Sequence, residues 1–312
     1  MKAIVLKDFG RTDQLVTAEI PVPAISAGQV LVKLKSISIN PVDVKTRSGK
    51  GIAGLIKDEL PVILGWDISG VITETGAEVQ DYKAGDEVFA MLAFPKLARA
   101  YAEYVVADPA ELTLKPSNIS HDEAAAATLA ALTAWQALAH ANVKKGQRVL
   151  IHAASGGVGH YAVQFAKYLG AHVTGTSSAE NRDFVLWLGA DAHVDYKARP
   201  FEDVVKDIDF VLDAIGGEYI DRSLQVIKKG GTIISIPSGL NESVTEKAKV
   251  LGINGYTIRV KPSGADMKTI AQLLEKGIVR SHVFKTFAFD EMAAAHQQIE
   301  SGRTIGKVTV SL

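Results

Sequence analysis

The feature that most limits what this chain can fold into is a glycine-rich turn between a short apolar run and an apolar helix. It reads Ala153-Ala154-Ser155-Gly156-Gly157-Val158-Gly159, with the strand-like run 149–153 before it and helical spacing over 158–169 after it. Glycines here let the backbone approach a pyrophosphate. The following helix then offers unpaired N–H groups and the positive end of its dipole. Such a turn can also merely join two elements, but here strand, turn and helix arrive in the order that dinucleotide binding requires.

The surroundings extend that pattern. Strand-like runs at 148–154, 172–176, 193–196, 210–214 and 232–236 alternate with helical spacing at 158–169, 181–188 and 219–227. Strands separated by helices of this length imply βαβ crossovers and a doubly wound parallel sheet with helices on both faces. The segment up to about residue 116 differs: short β-branched runs at 30–34, 69–73 and Glu87–Met91 are punctuated by Gly and Pro. That predicts a compact β-rich domain. Ser120 followed by Glu123 reads as a capping box opening a helix over 121–131, with a second helical piece at 135–141. The tail reads helix 266–276, strand 283–287, helix 290–300 and strand 307–310. Periodicity alone does not say whether it extends the parallel sheet or returns to the first domain.

With 312 residues, the chain is comfortable as two domains. Hydrophobic residues make up 47% and charged residues 22%, a balance that supports a true core, and the net charge of −1 gives no electrostatic footprint for nucleic acid or an anionic membrane. There is no cysteine, which removes disulfides, iron–sulfur clusters and thiolate-bound zinc together. No apolar run approaches the roughly 20 residues of a membrane span, and the N-terminus lacks the pattern of a secretory signal. The expectation is a cytoplasmic protein with no nucleic-acid or membrane partner.

The end of the second strand bears on which dinucleotide is bound. An NAD site usually places an acidic residue there to hold the ribose 2′-hydroxyl. Here the stretch reads Thr174-Gly175-Thr176-Ser177-Ser178, with Asn181 and Arg182 close behind. Hydroxyls and a guanidinium suit a 2′-phosphate, whereas an aspartate would repel it. The reading is NADPH; the alternative is a polar loop that caps the next helix.

Several further motifs stand in order along the chain: Asn40-Pro41-Val42-Asp43, Leu64-Gly65-Trp66-Asp67, Gly85-Asp86-Glu87-Val88, Leu132-Thr133-Ala134-Trp135, Leu188-Gly189-Ala190-Asp191 and Gly306-Lys307-Val308. Together with the glycine turn they make the chain resemble, over essentially its full length, the medium-chain dehydrogenase/reductases, and among them the zinc-free quinone oxidoreductase branch that includes zeta-crystallin and the alkenal and enone reductases. The resemblance implies a GroES-like β-rich catalytic domain from residues 1–118 and 260–312, with a Rossmann NADPH-binding domain, 119–259, inserted between. The tail then returns to the first domain. A homodimer or homotetramer is implied as well. Zinc-dependent relatives carry a Cys and a Gly-His-Glu motif in the early segment; this chain has Asn40 and Trp66 there, so no metal site is expected.

The resemblance also assigns residues. Gly156, Gly157 and Val158 would approach the pyrophosphate, Ser177, Ser178 and Tyr196 would surround the 2′-phosphate, and Ser155 and Thr176 are also expected to bind the cofactor. Relatives often carry a lysine near position 181; the asparagine there moves the expectation to Arg182. Thr133 would bond a phosphate or the nicotinamide ribose, unless it is a helix-packing threonine. Ile236, Pro237 and Ser238 would lie beside the nicotinamide. Gly306 and Lys307 would touch the cofactor from the other domain, unless Lys307 is a surface charge. On the substrate side, Asn40 would orient a carboxamide or carbonyl, Asp43 would line the cleft or hold a turn, and Lys45 would stabilise an enolate oxygen or be a solvated charge. Trp66 would pack beneath the site, and His152 and His160 read as satisfied buried or cofactor-lining histidines. The implied reaction is hydride transfer from NADPH to a quinone or an α,β-unsaturated carbonyl acceptor, a small molecule. Alternatives are a zinc-free enoyl-thioester reductase and a non-catalytic NADPH-binding sensor or structural protein.

Overall fold

The ten-residue run Val30–Ile39 alternates side chains over two covered faces and pairs along both edges, with Asp67–Thr75 on one side and with Lys307–Ser311 and Tyr104–Ala107 on the other. It organises the first of two compact units into which the computed structural model, describing residues 1–312, divides: Met1–Leu132 with Lys261–Leu312, and Thr133–Val260.

In chain order the first unit begins with strands β1 (Lys2–Leu6), β2 (Leu15–Glu19) and β3 (Val30–Ile39), then helices α1 (Pro41–Arg47) and α2 (Ala53–Ile56). Strands β4 (Val62–Ile63), β5 (Asp67–Thr75), β6 (Glu87–Met91), β7 (Tyr104–Ala107) and β8 (Thr113–Leu114) follow, then helix α3 (His121–Ala126). Helix α4 (Leu129–His140) carries the chain into the second unit.

The second unit is built from β9 (Arg148–Ile151), α5 (Gly157–Tyr168), β10 (His172–Ser177), α6 (Arg182–Trp187), β11 (Ala192–Asp195), β12 (Ile208–Asp213), α7 (Glu218–Leu224), β13 (Ile227–Ser235), α8 (Val244–Val250) and β14 (Asn254–Thr257). Its six strands are parallel, in the order β11-β10-β9-β12-β13-β14. The order reverses between β9 and β12, the switch point outside whose carboxyl ends doubly wound sheets bind ligands. One core of this unit gathers Leu150, Phe201, Val211, Ile220, Ile233 and Val244.

The tail adds α9 (Gly264–Glu275), β15 (Val283–Ala288), α10 (Met292–Glu300) and β16 (Lys307–Ser311). It returns to the first unit, where the sheet runs β15-β16-β3-β5-β6-β8 with β7 also on β3. Thus β16 pairs antiparallel with β3, Val308 opposite Ile39 and Val310 opposite Ile37. No helix is long and apolar enough to cross a membrane.

Several boundaries differ from the sequence reading for identifiable reasons. The helix expected over 121–131 breaks after Ala126, and a new one starts at Leu129. The break is fixed from far away: the Leu129 N–H donates to Asp67 Oδ1 (3.0 Å), while Thr128 Oγ1 turns back onto the Ala125 carbonyl (2.7 Å). Helix α3 lies on the first unit's sheet, with Ser36 Oγ donating to Asp122 (2.6 Å), so 119–132 belongs with that unit rather than starting the second. The helix expected over 219–227 stops at Leu224, and Ile227 already pairs with Ile208 in the sheet. Helix α8 and strand β14 lie in a stretch whose periodicity suggested no element.

One carboxylate holds the carboxyl ends of β12 and β13 together. Asp213, fully buried, accepts from the N–H groups of Ile215 (2.9 Å) and Gly216 (3.0 Å) and from Ser235 Oγ (2.7 Å). Asp213→Ala leaves three donors, two of them buried, without their acceptor and should cost about 3 kcal/mol or more in urea unfolding, whereas Asp213→Asn, which keeps an acceptor oxygen, should cost less. Equal, small losses for both would show that the carboxylate does not organise this edge.

Candidate functional site

The nucleotide turn is built from the backbone outwards. Strand β9 ends at Ile151, His152 bonds into β12 through its N–H to the Leu212 carbonyl (3.0 Å), and Ala153 takes up a left-handed conformation (φ 50°) that reverses the chain. The Ala154 N–H bonds Thr176 O (2.9 Å) and so keeps the turn against β10. Gly156 caps α5 without any side-chain hydrogen bond, leaving the first-turn N–H groups of Gly157, Val158 and Gly159 for another acceptor. A side chain at Gly159 has no room: its Cβ would collide with the Ala153 carbonyl and stand 2.8 Å from Ala154 Cα. The glycine therefore serves close packing of helix on turn, and the open N–H groups are the feature that fits a pyrophosphate.

Ser155, Gly156, Gly157, Val158, Ser177, Ser178, Tyr196, Ile236, Pro237 and Ser238 all fall at the carboxyl ends of β9, β10, β11 and β13, so the parallel sheet brings them to one edge. Asn181 ties two of them: its Nδ2 donates to Ser155 Oγ (3.1 Å) and Ser178 Oγ (3.3 Å). Tyr196 lies just beyond β11, its N–H reaching Ser177 O (3.3 Å), and is partly exposed. Thr133 is buried on α4.

Two of the residues expected at the cofactor have other partners in this structure. The Thr176 side chain points into the unit, where its hydroxyl pairs with His152 Nδ1 (3.0 Å). The Arg182 guanidinium is exposed and pairs with Asp183 (3.2 Å), the residue next to it. Asn181, which sequence reasoning set aside in favour of Arg182, is the residue that joins the hydroxyls.

His152 was rightly read as a satisfied buried histidine. Its Nε2 meets Ser223 Oγ (3.0 Å), and its ring packs edge-on against Phe201 and Tyr219. The Arg222 guanidinium lies over both those rings at 4.8 Å and forms a two-pronged pair with Glu202. Burial pushes His152 down to about 4, so it is neutral at physiological pH.

The second constellation lies in the first unit. Lys307, on β16, is 3% exposed. Its Nζ donates to Asn40 Oδ1 and to the Ile39 carbonyl (3.2 Å), and stands 3.8 Å from Asp67 Oδ2. Asn40 Nδ2 donates to the same Asp67 oxygen (2.7 Å), and the Asn40 N–H donates to Asp43 Oδ2 (2.8 Å), closing the capping box of α1. Asp43 stands against the Tyr101 hydroxyl, which bonds His296 Nε2 (3.0 Å). Gly306, at φ 66°, turns the chain into β16 where a Cβ would meet His282.

These contacts bear on three expectations. Lys307 is not a surface charge. Asn40, 1% exposed, bonds Lys307 and Asp67 through its amide. Asp43 is wholly buried and holds the start of α1 rather than lining an open face. Lys45 is half-buried on the same helix, and burial together with Lys50 holds its ammonium below the usual lysine range. Trp66 is fully buried, its Nε1–H donating to the Lys96 carbonyl (2.7 Å). Sequence reasoning missed Asp67 as the centre of this cluster; the signal available was an aspartate directly after Trp66, inside an otherwise apolar run.

Burial first, and the neighbouring Asp67 carboxylate second, push the Asp43 carboxyl up to about 7 from its ordinary 3.8. A carboxyl raised in the folded state binds its proton more tightly there than in the unfolded chain. Its contribution to stability is complete below about pH 4 and is lost as pH rises through 7. Asp43→Asn removes this one titration. The variant should therefore gain on the wild type between pH 4 and 7, by up to about 1.4 kcal/mol per pH unit, in urea unfolding at a series of pH values. A stability difference that stays constant with pH would overturn the assignment.

Comparison with known proteins gives the lineage of both units. Residues 26–117 match the family described as alcohol dehydrogenase GroES-like domain, and residues 188–310 the family described as zinc-binding dehydrogenase. The chain is 34% identical to the NADPH-dependent alkenal/one oxidoreductase, chloroplastic, of Arabidopsis thaliana, over 99% of this chain and 79% of that protein. It is 33% identical, with the same coverage, to 2-methylene-furan-3-one reductase of Solanum lycopersicum. The solved quinone oxidoreductase of Coxiella burnetii superposes with a TM-score of 0.96 at 35% identity, covering 100% of this chain and 99% of that one. The chain is an oxidoreductase of the medium-chain dehydrogenase/reductase superfamily and belongs to its quinone oxidoreductase branch.

Proposed function

We propose that this oxidoreductase uses NADPH to reduce the carbon–carbon double bond of an α,β-unsaturated carbonyl compound, with quinones as a second class of acceptor. The observation that carries the reading is the carboxyl edge of the second unit's sheet. There, an uncapped helix start at Gly157–Gly159 stands beside the hydroxyls of Ser155, Ser177 and Ser178, with no carboxylate at the end of β10. The two plant relatives named for alkenal/one and methylene-furanone reduction support a conjugated carbonyl as the acceptor.

The N–H groups of Gly157, Val158 and Gly159 would hold the pyrophosphate, and Ser178, Ser155 and Asn181 the 2′-phosphate, with Ser177 and Tyr196 beside them. Ile236, Pro237 and Ser238, past the end of β13, would border the nicotinamide. When bound, the cofactor supplies the hydride, so the protein's own task is positioning and electrostatics. Donors without a formal charge discriminate by geometry: each exposed N–H or O–H prefers a phosphate oxygen to a ribose hydroxyl. Asn40, Asp43 and Lys307 act as the buried frame of the first unit rather than as groups that meet substrate.

The reaction needs no zinc in this reading. The chain lacks cysteine, and no group of three or more His, Asp or Glu gathers where it could hold a metal ion. The test is NADPH oxidation followed at 340 nm across enals, enones and quinones, with product analysis and metal determination on the same preparation. Saturated carbonyl products at a rate insensitive to chelators are expected. Tight NADPH binding with no acceptor reduced would overturn the enzymatic reading, and one zinc per chain would overturn the metal-free one.

A further inference from the structure

We propose that His193 is a positioning residue for the 2′-phosphate, setting the direction of the Ser177 hydroxyl and taking up a proton when the phosphate binds. The inference deepens the NADPH reading and rests on it.

His193 lies on β11, the outer strand of the parallel sheet, and its Nε2 meets Ser177 Oγ at 2.8 Å across the β10–β11 ladder. Ser177 is the last residue of β10, almost wholly buried, and its hydroxyl points at the Ser178 carbonyl (3.2 Å). A hydroxyl has one hydrogen. With that hydrogen on the Ser178 carbonyl, the 2.8 Å bond is made by the tautomer that carries its proton on His193 Nε2. Were Nε2 unprotonated, it would take the Ser177 hydrogen, and the hydroxyl would face a neighbouring anion with lone pairs only. The histidine thus decides whether Ser177 can act as a donor at this edge.

The charged groups facing His193 are few. Partial burial acts most strongly and disfavours its charged form; Asp195, two residues along on the same strand, favours that form, and Arg182, on α6, disfavours it. The balance leaves the imidazole neutral in the free protein. A dianion arriving beside Ser177 adds one more negative neighbour and tips the balance towards the imidazolium. Net proton uptake on binding is the signature. The phosphate itself gives the opposite sign: its second ionisation lies near pH 6, so selecting its dianion releases protons.

The experiment is calorimetric titration of NADP⁺ and NAD⁺ near pH 7 in buffers of different ionisation enthalpy, for the wild type, His193→Gln and His193→Val. The wild type should take up a fraction of a proton with NADP⁺ and none with NAD⁺. His193→Val, a side chain suited to a strand, should weaken NADP⁺ about tenfold, the worth of one charge-assisted hydrogen bond, and leave NAD⁺ within twofold. His193→Gln, which retains an N–H for Ser177, should restore most of the affinity but none of the proton uptake. Uptake that persists in either variant, or equal weakening of NADP⁺ and NAD⁺, would overturn the role of His193. A wild type that binds NADP⁺ no better than NAD⁺ would instead overturn the NADPH reading beneath it.

Discussion

The first unit depends on one buried carboxylate. Asp67 receives the Asn40 amide, the Leu129 N–H and, at longer range, the Lys307 ammonium. Those groups belong to the end of β3, the start of α4 and the last strand of the chain, so a single side chain joins segments 27 and 62 residues away and the far terminus. Burial pushes Asp67 up and Lys307 down, while each pulls the other back towards its charged form. Such a pair adds little to stability compared with apolar packing, yet removing one partner strands a charge and costs about 3–5 kcal/mol. Its value here is register: β16 can pair with β3 in only one way that delivers Lys307 to Asn40 and Asp67.

That frame explains why the polar residues first read as reactive are interior. Asn40 follows β3 and caps α1, and both ends of its amide are taken. Asp43 closes the capping box three residues on, where Tyr101 and then His296 continue the chain of contacts towards α10. Burial and the neighbouring Arg47 drive His296 down to about 3, so it is neutral and can accept the Tyr101 hydrogen. Arg47, almost fully buried, pairs with Glu300 and the Gly10 carbonyl, tying α1 to both α10 and the N-terminal loop.

How much of this was legible depended on range. The turn 153–159 and the strand–helix alternation were legible because each rests on residues within a few positions of one another: glycine spacing, apolar period and caps. Glu87–Met91 has the same bounds in sequence and structure for that reason. Lys307 was not legible, because whether a lysine in a terminal strand is exposed depends on Asn40, 267 residues earlier. The helix break at Thr128 was hidden for a similar cause, its capping carboxylate being Asp67. Strand β14 was masked by its own Asn254-Gly255, which reads as a turn; Gly255 is there because a Cβ would collide with the Val244 carbonyl and the Ala248 side chain of α8. At the carboxyl end of β10 the hydroxyls were legible by type but not by direction: Thr176 and Ser177 are neighbours in an alternating strand, so one hydroxyl turns to His152 and the other to His193.

The two histidines show how one sheet separates structure from selectivity. His152 is enclosed by Phe201, Tyr219, Thr176 and Ser223, and nothing that binds at the edge can change its neutral state without unpacking that core. His193 is only part-buried and faces one carboxylate and one guanidinium of opposite effect. Its protonation is therefore open to a new neighbour. The exposed Arg182 contributes less than its charge suggests, because Asp183 pairs with it and solvent screens the pair. In the proposed NADPH reading, selection of a phosphate at this edge falls to short-range donors, Ser178, Ser177 and Asn181, whose hydrogens must already point the right way. For Ser177 that direction depends on the Ser178 carbonyl and on the His193 ring nitrogen, a residue to which the sequence reading gave no role.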